Sequence, residues 1–250
     1  MIDMSSLHTH SDYAKALNNF NKPPLCRHNK FKDVHLKVSK NRCPICECPL
    51  DNSVTIDSNN GITTLKSTID HYRPKNYYPM LECDHKNYLL MCTDCNGVYK
   101  DNHFPLHNSS PNKNLILSIM DNINNEKPLL VNPIYDNLLE LFVLVFKYTP
   151  SGKKVLELKP KESSGYLYEK ALETIKLFSL GDCEVNRNSS VNVQDCRITL
   201  LNSHFKKFYE FIEALEKKNI NEAMSLREKY KLKNYGFYIF IQKRQYQYLI

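Results

Sequence analysis

Two pairs of cysteines repeat one spacing: Cys43-Pro-Ile-Cys46 and Cys92-Thr-Asp-Cys95, with 45 residues between them. A CxxC turn sets two thiolates on one side of a tight loop, and two such turns supply the tetrahedral sulfur set that Zn²⁺ prefers. A redox CxxC needs no second pair, and buried free thiols need no fixed spacing. The doubling therefore points to a structural zinc held by Cys43, Cys46, Cys92 and Cys95. Cys48 stands two residues past Cys46, a spacing that the second pair lacks, and is left out of the set. Cys26, Cys83, Cys183 and Cys196 show no partner spacing and are expected to be packed or surface thiols.

A second group of residues lies between and just beyond these knuckles. Asp70 adjoins His71, Asn87 follows His71 by sixteen residues, and Asn96 follows Asn87 by nine. Hydrolysis of a phosphodiester needs a deprotonated water in line with the leaving oxygen, and neutralisation of the crowded phosphate. A histidine suits the base role at neutral pH, so His71 is the candidate base. The side-chain carbonyl of Asn87 would aim its imidazole. Asp70 and Asn96 offer the hard oxygen ligands that Mg²⁺ or Mn²⁺ accept. Lys100, four residues after Asn96, would share a helix face with it and touch a phosphate oxygen. His103 is a further candidate for a phosphate or metal contact, and Arg73 and Lys75 flank Pro74 where two cations suit a nucleic-acid backbone. Alone, Asp70 and Asn96 would each be read as caps and His71 as an ordinary packed histidine; set together between two knuckles, they read as a site.

The elements that must position this site follow from the intervening residues. Thr55-Ile56-Asp57, the turn Asn59-Asn60-Gly61 and Thr68-Ile69-Asp70-His71 predict paired strands with Asp70-His71 at a strand end. Pro74 and Pro79 predict an extended loop. The run Asn87 to Met91 leads apolar chain into the second knuckle, and Asn96-Gly97-Val98-Tyr99-Lys100 predicts a short helix beside the zinc.

In Cys43-x-x-Cys46, Ile69-Asp70-His71, Asn87-Tyr88-Leu89-Leu90 and Cys92-x-x-Cys95-Asn96-x-x-x-Lys100, over roughly residues 41–106, the chain resembles the HNH (ββα-metal) endonuclease superfamily in its zinc-knuckle form. Asp70 to Lys75 and Cys95 to Leu106 look like the HNH component of the Septu antiphage systems and its retron-associated relatives. Thr174-Ile175-Lys176-Leu177-Phe178-Ser179-Leu180 and Arg187 are similar to a pattern of that group, although Gly181-Asp182 stands where the group carries asparagine. The resemblance implies Asp70 and Asn96 as ligands of the catalytic metal, His71 as general base and Asn87 as its orienter. It also implies a role in antiphage defence and a partner ATPase of the ABC/SMC-like type.

The rest of the chain frames this reading. With 42% hydrophobic and 11% aromatic residues among 250, most of it should fold. Its 34 Lys+Arg against 27 Asp+Glu give +7, which permits a polyanionic partner without demanding one. The longest apolar stretch, Leu138 to Phe146, is nine residues and holds Glu140, too short to span a bilayer. Met1 to Ser5 shows no leader pattern, so a cytoplasmic, reducing compartment is expected. There is no P-loop. Leu138 to Tyr148, the Pro150-Ser151-Gly152 turn and Val155 to Leu158 predict a β-hairpin, and Leu167, Ala171, Ile175 and Phe178 a helix ending at Gly181. Ile198, Leu201, Phe205, Phe208, Ile212 and Leu215 form an apolar helical seam, and residues 204–250 carry 10 Lys+Arg against 5 Glu.

The expected fold is α+β: a ββα-metal nuclease core with a four-cysteine structural zinc, a β-hairpin and a mainly helical C-terminal region. The expected division is 1–40 as a supporting segment, 41–110 as the nuclease module, 111–160 as linker and hairpin, and 161–250 as the helical region. The expected function is metal-dependent cleavage of nucleic acid, DNA ahead of RNA. The alternatives are a zinc-knuckle binding module without catalysis, and a scaffold that uses the 198–215 seam.

Overall fold

The structure, a computed structural model, describes residues 1–20, 26–51, 56–57, 62–63, 65–108, 123–148, 152, 154–180 and 198–249. It is a mixed α+β protein with small sheets, and its contacts divide it into two units, Ile2–Asn137 and Leu138–Ile250, the latter with Met1. No helix among the described residues is long and apolar enough to cross a membrane.

The first unit begins with α1 (Ser11–Phe20) and α2 (Lys32–Val38). Tyr13, Ala16 and Phe20 recur at helical spacing and are the buried stripe of α1. Short strands β1 (Leu50–Asp51), β2 (Ile56–Asp57) and β3 (Ile62–Thr63) precede β4 (Leu65–His71) and β5 (Tyr88–Cys92). β2 pairs antiparallel with β3, whereas the sequence suggested Thr68 to His71 as the strand paired with Thr55 to Asp57; the turn at residues 59–61 lies outside the described residues. β4 is central, with β1 parallel on one side and β5 antiparallel on the other, in a register that sets Ser67 opposite Cys92 and His71 opposite Tyr88. Every residue of β5 is buried. One layer over it is aromatic: Phe31 lies 5.1 Å from Tyr13 and 5.9 Å from Tyr88, ring centre to ring centre. The N-terminal helices thus belong to the same core as the knuckles.

Two expectations for this unit change. The loop after β4 is not extended: the Pro74 carbonyl accepts the amides of Tyr77 and Tyr78 at 3.0 and 2.9 Å, and Pro79 opens a 3₁₀ turn, Pro79–Leu81. Proline presets φ for turns as readily as for extended chain, and here the free carbonyls decide. Cys26 and Cys83 are not separate thiols but a disulfide, Cα–Cα 4.9 Å across a sequence separation of 57. Nothing in their spacing announced it. Cys183 and Cys196 lie outside the described residues.

The second unit is built on β6 (Phe142–Tyr148), with β7 (Lys154–Pro160) antiparallel on one side and β8 (Tyr246–Leu249) parallel on the other. Phe142, Leu144, Val145 and Phe146 are all buried, as a central strand requires. The predicted hairpin is present but shorter: Leu138–Leu141 forms one helical turn, α3, with Leu138 and Leu141 buried three residues apart. Helices α4 (Gly165–Leu177), α5 (Ile198–Glu216), α6 (Ile220–Lys229) and α7 (Phe237–Gln242) complete the unit. Gly165 starts α4 at φ +83°, a conformation that disfavours a side chain. Phe208 and Ile212 of the predicted seam are buried; Gly181 lies outside the described residues. The hairpin shares this unit with the helices instead of a 111–160 linker, and the chain's end is a strand because Tyr246 to Leu249 pair with β6.

Candidate functional site

The two knuckles meet. β5 carries Cys92 beside the loop holding Cys43 and Cys46, and the turn after β5 adds Cys95, so that the four Sγ atoms lie within 4.8 Å of one another, all buried. A tetrahedron with Zn–S of about 2.3 Å has sulfur–sulfur edges of about 3.8 Å, and Cys46 and Cys92 stand 3.8 Å apart. Backbone amides turn toward the sulfurs: Cys92 N–H donates to Cys43 Sγ at 3.4 Å and Cys95 N–H to Cys92 Sγ at 3.3 Å. This is a four-cysteine group able to hold a structural metal ion such as zinc. Cys48, outside the predicted set, adds a fifth buried sulfur with its Sγ 3.3 Å from that of Cys46.

From this anchor the chain runs strand, loop, strand, helix. β4 ends in Asp70 and His71, β5 returns alongside, and Asp94–Lys100 forms a π-helical turn, a rare and wide form of helix. The helix packs its Asn96 and Lys100 on β4. The Asn96 Nδ2 donates to Thr68 Oγ1 at 3.1 Å, and the Lys100 ammonium lies 2.8 Å from Asp70 Oδ2. Thr68 and Asp70 alternate along the strand and so share a face, which brings Asp70 and Asn96 to the same strand–helix seam. Burial pushes the Asp70 carboxyl above the usual carboxylate range, and Lys100 pulls it back.

His71 is held by backbone. Its Nε2 lies 2.9 Å from the Glu82 carbonyl oxygen, which can only accept, so Nε2 carries a proton and Nδ1 is the nitrogen turned to other partners. The same carbonyl accepts from the Tyr88 hydroxyl at 2.9 Å, and the Tyr88 ring stands 5.3 Å from the imidazole, edge to face. Burial raises the Tyr88 phenol to about 12, so it stays a donor. The orienter of His71 is thus Glu82 C=O, where the sequence suggested Asn87. Asn87 does something else: its Oδ1 accepts from Arg73 N at 2.8 Å and its Nδ2 donates to Arg73 O at 3.0 Å and Leu81 O at 3.3 Å. It pins both ends of the loop between β4 and β5, a task for a side chain with a donor and an acceptor.

The four residues expected at a phosphate divide. Lys100 is fully buried, and besides Asp70 its ammonium donates to His71 O at 2.9 Å. Arg73 ion-pairs with the buried Glu126, lies between the Tyr78 and Phe104 rings at 5.1 and 5.2 Å, and is structural where a surface cation was expected. The helix face shared by Asn96 and Lys100 meets β4, so the lysine spent its charge on Asp70; an arginine beside two aromatics found a better partner inside. Lys75 is exposed and pairs with Glu82 at 3.4 Å, and the His103 side chain is exposed. Sequence reasoning passed over Thr68 and Glu126. Thr68 was findable, two residues before Asp70 at the strand period; the Glu82 carbonyl, a main-chain group, was not.

Searches against protein-family profiles, curated proteins and solved structures return no match to this chain.

Proposed function

We propose that the chain is a metal-dependent HNH-type endonuclease acting on nucleic acid, DNA ahead of RNA, with its structural zinc in the four-cysteine group. One observation carries the reading: β4 ends in Asp70 and His71, the helix bearing Asn96 packs on that same strand, and the Glu82 carbonyl holds His71 Nε2. A neutral imidazole with Nε2 tied down has Nδ1 to take a proton from water. The Asn96 amide is anchored through its Nδ2 with its Oδ1 unbonded among the described residues, where it would take a cation, and the Asp70 carboxylate already draws one in Lys100. Asp70 and Asn96 are therefore the residues that would hold Mg²⁺ or Mn²⁺, and that ion would supply charge neutralisation at the leaving oxygen. Lys100 holds the Asp70 carboxylate in place and opposes the rise in its pKa that burial causes.

The resemblance adds a partner ATPase and an antiphage role to this proposal. The test is incubation of the purified chain, alone and with a co-expressed ATPase, with plasmid DNA, single-stranded DNA and tRNA in Mg²⁺ or Mn²⁺. Cleavage that depends on the metal and disappears in His71→Ala supports the reading. Binding without cleavage in every arm favours the zinc-knuckle binding module, a second reading supported by the Lys100–Asp70 pair, which neutralises the carboxylate with no divalent ion.

A further inference from the structure

We propose that His28 is a phosphate-binding residue of this same site, an inference that rests on the nuclease reading for its substrate but stands on its own for the anion. His28 opens the 3₁₀ turn His28–Phe31 in the N-terminal segment, 43 residues before His71. Its ring centre lies 6.3 Å from that of His71 and 6.1 Å from that of Tyr88. Tyr88 is therefore the shared wall of two imidazoles. The fold holds the pair together from behind as well: Cys26, two residues before His28, is bonded to Cys83, the neighbour of the Glu82 whose carbonyl fixes His71. The disulfide thus ties the segment carrying His28 to the loop whose Glu82 carbonyl holds His71.

The chemistry of the site leaves a place for this residue. His71 has its Nε2 hydrogen-bonded to the Glu82 carbonyl, so that N–H is not available to a phosphate. Two cations that the sequence placed at the phosphate are committed elsewhere, Lys100 to Asp70 and Arg73 to Glu126. His28 is half-buried, and its ring nitrogens make no hydrogen bond among the described residues. An imidazole N–H reaches an anionic oxygen at about 2.8 Å, and a ring separation of 6.3 Å lets one phosphate touch His28 while the water aimed by His71 approaches it. His28 donates to a non-bridging oxygen; His71 faces the nucleophile.

The experiment uses the full chain with its disulfide intact. Imidazole nitrogen resonances of His28 and His71 are followed by NMR while inorganic phosphate is added. Both are expected to move along one saturation curve, and His28→Gln to weaken phosphate binding about tenfold, the worth of one charge-assisted hydrogen bond. In cleavage assays the same variant should raise KM about tenfold and change kcat little, the signature of lost uniform binding. Phosphate that moves His71 but leaves His28 still overturns the proposal, as does a His28→Gln enzyme with wild-type KM. If both rings move and no nucleic acid is cut in any arm, the anion site stands and the nuclease reading falls. If His28→Gln fails to fold, the wild-type titration decides.

Discussion

Replacing Asn87 with alanine strands the amide and carbonyl of Arg73 and the carbonyl of Leu81, all of which its side chain satisfies. The expected cost is about 1–3 kcal/mol of stability, read as a lower denaturant midpoint, with any loss of cleavage following from that. His71→Ala touches none of these bonds: it should leave the melting curve near wild type and lower cleavage about 10²–10⁴-fold. If the two variants exchange profiles, the assignments of base and loop pin are reversed. Lys100→Met tests the seam differently, because it leaves the Asp70 carboxylate in a site only 12% exposed with no counter-charge. A loss of about 3–5 kcal/mol is expected, much of it restored by adding Asp70→Asn. Additive effects in that double-mutant cycle would show that the pair is not coupled.

The knuckle and the strand–loop–strand–helix unit depend on each other, because β5 delivers Cys92 to the sulfur cluster and Tyr88 to His71. Elemental analysis should find one zinc per chain, lost in Cys43→Ser together with the fold of the Ile2–Asn137 unit. Cys48→Ser should keep the zinc, since Cys48 lies outside the repeated spacing; loss of metal in that variant would put Cys48 in the ligand set. Much of this unit was legible, for local reasons: CxxC spacing, β-branched residues ending at Asp70-His71, and a short helix after the second knuckle, although it starts at Asp94 and not at Asn96. What was not legible came from distance. Arg73 looks like a surface cation until Glu126, 53 residues on, is folded beneath it, and Cys26 and Cys83 look like stray thiols until the N-terminal segment packs against the loop. The same limit holds in the second unit, where Tyr246 to Leu249 become a strand only because β6 offers an edge.

For the whole molecule, pH dependence has an identifiable source in His35, which is fully buried with neither ring nitrogen bonded among the described residues. Burial lowers it from 6.5 to about 3. The unfolded chain takes up a proton near 6.5 while the folded one does not, so the neutral ring's contribution to stability is full above 6.5 and is lost as pH falls towards 3. His35→Leu should therefore flatten the acid side of the melting temperature against pH and leave the neutral side little changed; an unaltered acid limb would assign that sensitivity to the thiolates instead. The disulfide has a different consequence for the intact chain. Cys26–Cys83 and the cluster of Cys43 and Cys46 with Cys92 and Cys95 enclose overlapping stretches of chain. A single protease cut anywhere between Cys46 and Cys83 leaves two fragments tied twice, once by sulfur–sulfur bond and once by the metal those sulfurs are suited to hold. Such a nicked protein should run as one band on a denaturing gel without reductant and as two with it. A cut between Cys83 and Cys92 should release its fragments on denaturation alone.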